Sequence, residues 1–193
     1  MSHWIIYILI LSVWSCSYDQ TKKQKSVSNY YDINGLIDEQ VKLLDSINPS
    51  FFKKATIDRN EEIQDFAPTD SSWAKELMTF KSTDINKPTL TESYFTQESE
   101  VADNKKITYI SKRPRSTEVD SLSIIFIKNT SNPLRINACL VDHNELYTSE
   151  KFIELSFRQL NGVNLISSYR INGWQKMIMQ DSTSYYVEAR INY

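Results

Sequence analysis

From about Leu90 onwards the apolar residues of this chain tend to recur at every second position, and that alternation limits the possible folds more than any other feature. Successive side chains of a strand point to opposite faces, so a period of two describes a sheet with one buried face. The stretch is rich in Ile, Tyr, Phe, Thr and Val, which suit a pleated, half-buried surface. Strands are expected over 105–112, 121–129, 134–141, 146–160, 163–180 and 184–192. The breaks between them are Arg113-Pro114, Ser131-Asn132-Pro133, Asp142-His143-Asn144, Asn161-Gly162 and Asp181-Ser182. No helical period interrupts them, so hairpins join them into an antiparallel meander.

Register gives a sharper expectation, because a one-residue slip sends every side chain to the other face. Ile153, Leu155 and Phe157 form one apolar set, and Leu165, Tyr169 and Ile171 form the next. A three-residue loop, Asn161 to Val163, opposes Leu155 to Tyr169 and Ile153 to Ile171, with Gly162 at positive φ. The same logic sets Met177 opposite Val187. Asn172-Gly173 is a hairpin signal, yet the apolar phase runs through it unchanged from Leu165 to Met179. One long strand bent at Gly173 is therefore favoured over a turn.

Before Leu90 the period is helical. Ile33, Leu36, Ile37, Gln40, Val41, Leu44 and Ile47 fall on one stripe, with Asp32 as N-cap and Asn48-Pro49 as terminator. Residues 51–58 and 61–66 read as a small hairpin of weak alternation. A second helix is expected over 71–81, capped by Asp70 or Ser71, with Trp73, Leu77 and Phe80 facing a core. Long bent strands curl a sheet, so the expected fold is α+β: two N-terminal helices packed on a curved antiparallel β-meander of five or six strands. Residues 31–193 form one domain.

Residues 4–13 are an apolar run too short to span a bilayer, which takes about 20 residues, but suited to the core of a signal peptide. The run ends at Val13-Trp14-Ser15-Cys16, which resembles the lipobox of bacterial lipoproteins. The resemblance implies that residues 1–15 are a cleaved signal peptide and that the Cys16 thiol carries a diacylglyceryl group. Residues 16–30 then form a lipidated polar tether. Acyl chains contribute roughly 0.8 kcal/mol per buried methylene, enough to hold a domain on a membrane without a spanning helix. An uncleaved anchor and a secreted protein cut elsewhere are the alternatives. With its YYDINGLIDEQVKLL and DINKP segments, the chain is also similar to uncharacterised envelope lipoproteins of Bacteroidetes-type bacteria. That likeness implies an outer-membrane location, on the periplasmic or surface face, and no known activity.

A formal charge of −2 with interspersed signs provides no basic patch for nucleic acid. Gly35, Gly162 and Gly173 are the only glycines, so there is no phosphate-cradling loop. Cleavage would leave one histidine, His143, and one unmodified thiol, Cys139. Residues four apart on a strand are separated by about 13 Å, too far for a Cys–His catalytic pair, and no carboxylates are spaced to complete a metal site. No cofactor is expected. Tyrosine is abundant in the sheet region, and Tyr169, Trp174, Tyr185 and Tyr186 are the candidate ligand-facing residues, since amphipathic rings on a sheet face suit glycans or apolar groups. The expected function is a lipid-anchored, non-catalytic binding or assembly module for a protein or lipid-like partner. A glycan-binding lipoprotein using the sheet tyrosines is the alternative, and a cryptic hydrolase the third reading.

Overall fold

Helix α1 (Ile33–Ile47) begins and ends where its sequence predicts. The Asp32 carboxylate accepts from Gly35 N–H at 2.8 Å, and Asn48 closes the helix in the left-handed region with its N–H on Leu44 O. A side chain at position 35 would collide with the capping carboxylate, its Cβ 2.3 Å from Asp32 Oδ2. The computed structural model describes residues 30–58, 60–66 and 72–193. The expected signal peptide, Cys16, the tether up to Asn29 and the capping candidates Asp70 and Ser71 lie outside the described residues.

The expected sheet needs correction. Among the described residues nine strands form one antiparallel sheet: β1 (Ser50–Ile57), β2 (Asn60–Phe66), β3 (Tyr94–Val101), β4 (Asn104–Ser111), β5 (Val119–Phe126), β6 (Pro133–His143), β7 (Tyr147–Leu160), β8 (Val163–Met177) and β9 (Thr183–Asn192). Their spatial order is β2-β1-β9-β8-β7-β6-β5-β4-β3. From β3 to β9 the sheet is a meander, but β1 pairs with β9 along its whole length, from Ser50 opposite Asn192 to Ile57 opposite Tyr185. The 51–66 hairpin between α1 and α2 (Ser72–Lys81) is thus part of the main sheet, which the expected five or six strands left out. Strand β3 escapes sequence reading because it is an edge strand whose residues after Tyr94 are all exposed, leaving no apolar alternation to detect.

The β7–β8 register keeps the expected pairs by a different device. Leu155 does face Tyr169 and Ile153 does face Ile171, but the loop is the two-residue Asn161-Gly162, with φ of 50° and 80°. The phase is restored by a bulge: Ser156 faces Ser168 while Phe157 faces Ile166, leaving Ser167 as the extra residue. Strand β8 runs unbroken through Gly173, as expected. Met177 does not face Val187; Ile171 does, because the β8–β9 hairpin closes at Gln175 and Thr183.

Both helices contribute to one core, with Ile33, Ile37 and Leu44 of α1 and Trp73, Leu77 and Phe80 of α2 all buried. Gln40, in the apolar stripe of α1, is also buried. Pairing of β9 with β8 starts at Ser168, so the first residues of β8 have β7 on one side only. The Gln40 amide takes the missing strand's place, donating to Asn164 O and accepting from Ile166 N–H, both at 2.9 Å. Leaving a buried backbone N–H without a partner costs about 1–3 kcal/mol. Gln40→Leu is accordingly expected to destabilise the fold by about that amount in urea denaturation. An unchanged midpoint for Gln40→Leu would show that β8 does not depend on this amide.

Candidate functional site

Alternation along the strands divides the sheet into a helix-covered face and an open one. Ile136, Ala138, Leu140, Ile153, Leu155, Tyr169, Ala189, Ile191 and Phe51 are buried with the helices. Their neighbours Asn137, Cys139, Phe152, Glu154, Arg170, Asn172, Trp174, Tyr186 and Glu188 point to the other side.

This division separates the four predicted ligand-facing residues. Tyr169 is 2% exposed, its ring packed edge-on against Phe80 at 5.0 Å, and its hydroxyl donates to Glu76 of α2. Burial, and then the Glu76 carboxylate, push its phenol far above the ordinary tyrosine range. Tyr185 shares the helix-side face. Its ring fills the space over Gly173, where an added Cβ would lie 2.7 Å from the phenol oxygen and 2.4 Å from Glu150 O, so that position excludes side chains. Trp174 and Tyr186 stand on the open face.

Two concavities follow from the division. On the helix side, beyond the end of α2, a cleft of about 710 Å³ lies between the β4–β5 loop and the sheet. Its floor includes Leu140, Ile171, Val187 and Tyr185, and its walls carry Arg115, Glu118, Asp142 and Lys151. Charges of both signs line it, which does not suit a hydrocarbon chain. On the open side a hollow of about 340 Å³ gathers Phe152, Asn172, Trp174 and Tyr186, with Thr56, Asp58 and Ser184 at its rim, and Gly173 and Tyr185 also line it. Two of its rings are held by carboxylates. Trp174 Nε1 donates to Glu150 Oε2 at 3.3 Å, and Tyr186 Oη donates to Glu188 Oε2 at 3.1 Å.

Phe152, Asn172 and Asp58 were not among the residues singled out from sequence. Phe152 carried a legible signal: it is a large aromatic one residue out of phase with Ile153, Leu155 and Phe157, and it is 44% exposed. Asp58 joins only through the β1–β9 pairing, where it accepts from Ser184 N–H at 2.9 Å.

No known protein family, curated protein or solved structure matches this chain significantly.

Cys139 and His143 both lie on β6 and have separate partners. The thiol approaches Glu150 Oε1 at 3.8 Å, while His143 Nδ1 meets Thr148 Oγ1 at 2.9 Å. Among the described residues no three His, Cys, Asp or Glu side chains group as metal ligands. Burial first, and then the charge of Glu150, raise the Cys139 thiol from 9.0 to about 11. The thiolate is the nucleophile, so about a hundredfold less of it is present near neutral pH than for a cysteine at the ordinary value. Alkylation at Cys139, followed by peptide mapping, is expected to be slow by about that factor at pH ~8 and to go on rising with pH above ~9, where an ordinary cysteine levels off. Glu150→Gln is expected to speed the reaction. A rate equal to that of free cysteine would contradict this environment.

Proposed function

We propose that the protein is a lipid-anchored lipoprotein of the bacterial cell envelope, at the outer membrane, whose sheet domain is a binding module and not a catalyst. The anchor rests on the sequence: the apolar run closed by Cys16 and the polar stretch that follows. The observation that carries the binding role is the open face of the nine-stranded sheet, where α1 and α2 do not reach and where rings and an amide are gathered into one hollow. The side chains that a hydrolytic reading would recruit have structural duties instead. Glu76 accepts from Lys53 and Tyr169, and Glu150 from Trp174 and Cys139. Between partners, mixed charge in the helix-side cleft disfavours a lipid-like ligand, while the polar and aromatic open face favours a glycan.

Labelling cells with tagged palmitate and fractionating their membranes tests the anchor. The wild-type chain is expected to take up label and sediment with membranes, and Cys16→Ala to lose both properties. An unlabelled wild type, or a mutant labelled and membrane-bound to the same extent, would overturn the anchored reading.

A further inference from the structure

We infer that the open face of the sheet is an oligosaccharide site, in which Trp174, Phe152 and Tyr186 contact the sugar ring faces and Asn172 hydrogen-bonds sugar hydroxyls. This deepens the binding-module reading and rests on it for the role of the face, though not on the lipid anchor.

Register places the groups. Asn172 pairs with Phe152 of β7 on one side and with Tyr186 of β9 on the other. Neighbouring strands lie about 4.8 Å apart, so the two rings flank the amide on one face, with Trp174 two residues further along the same strand. The Asn172 side chain is exposed and makes no hydrogen bond among the described residues. Trp174 and Tyr186 are tethered at their polar ends by Glu150 and Glu188, which leaves the ring faces to a ligand and limits the rotamer entropy lost on binding. Rings of this kind offer apolar area with a polar edge, the pattern shown by the two sides of a pyranose.

The size and continuity of the face indicate a chain of sugars over a single unit. The hollow of about 340 Å³ is at the small end of the roughly 300–1,000 Å³ range of small-molecule sites. A second hollow of about 420 Å³ shares Phe152 and Asn172 with it and continues across β6, β5 and β4, lined by Asn137, Ser121, Ser123 and Thr108 together with Lys106, Glu154 and Arg170. Hydroxyls and an amide lead on from the three rings, and Glu154 and Arg170 beside them are paired with each other at 3.3 Å, which suits a neutral polyol. No lysine or arginine lines the ringed half, which disfavours phosphate- or sulfate-bearing ligands. A quaternary ammonium is best held by rings that enclose it, whereas these rings flank an amide on a pleated surface.

The test is calorimetric titration of the purified full-length protein in detergent with neutral trisaccharides: cellotriose, maltotriose, xylotriose, mannotriose and triacetylchitotriose, with choline as the cationic comparison. At least one trisaccharide is expected to bind saturably, and Trp174→Ala and Asn172→Ala each to weaken it about tenfold or more, as for central contacts in a binding site. Trp174→Phe, which keeps a ring, retains most of the affinity, and Tyr147→Phe in the helix-side cleft leaves it unchanged. Should Trp174→Ala fail to fold, the exposed Asn172→Ala decides. Binding of none of the sugars, binding of choline alone, or sugar binding indifferent to Asn172→Ala would overturn the inference. Purified protein reports on the site independently of palmitate labelling, so failure of the site and failure of the anchor are distinguishable.

Discussion

Glu76 is the carboxylate on which the joining of helices to sheet turns. It lies on α2, with about a fifth of its side chain exposed, and receives Lys53 of β1 in a two-oxygen contact at 2.8 and 3.1 Å together with the Tyr169 hydroxyl of β8. Removing a carboxylate from water costs several kcal/mol unless a counter-ion and hydrogen bonds replace its hydration, and here the replacements come from two strands far apart in sequence. The contact fixes α2 across β1 and β8, with β9 between them. Phe51 then packs edge-on to Trp73 at 5.3 Å beside the same ion pair, so the polar contact is roofed by aromatic rings. Tyr31, where the described chain enters α1, sits edge-on to Phe126 at 5.5 Å, and Asn86 holds the backbone of Tyr30 and Tyr31 from the turn after α2.

The same ion pair explains why the sheet was under-read from sequence. Lys53 occupies a helix-side position of β1, between Phe51 and Ala55, and a lysine there breaks the apolar alternation that identifies a half-buried strand. Its partner Glu76 sits on the helix stripe's flank with nothing in the sequence to couple the two. What was legible was local: the caps of α1, the stripes of both helices, the unbroken β8 and the opposition of Leu155 to Tyr169. What was not legible was carried by contacts distant in sequence. The β1–β9 pairing is one case, and the bulge at Ser167 is another, since it is anchored by Gln40 more than 120 residues earlier. The candidate site follows the same division. Alternation alone places Trp174 and Tyr186 on one face and Tyr169 and Tyr185 on the other, but only once the register of β8 against β9 is known.

An open sheet of this width exposes two edges, β2 and β3, and both are acidic: Glu61, Glu62 and Asp65 on one, Glu98 and Glu100 on the other. Like charges along an unpaired strand oppose its pairing with the edge of another molecule. Strand addition at either edge is thereby discouraged, and recognition is directed to a face. Of the two faces, the helices occupy one and leave at its end a cleft with charges of both signs. The other is continuous from β1 to β4.

On that continuous face several charged groups are matched among themselves. Glu154 lies between Arg170 at 3.3 Å and Arg135 at 3.9 Å, Glu188 accepts from Tyr186, and Glu150 accepts from Trp174 and is approached by the Cys139 thiol. Carboxylates committed in this way act as clamps, because each holds a neighbouring side chain in one orientation. A ligand arriving at the ringed part of the face therefore meets ring faces and the Asn172 amide, with the neighbouring carboxylates already committed. That arrangement favours a partner recognised by shape and hydrogen bonding, and it follows from the pleat and the pairing of neighbouring strands rather than from any single motif.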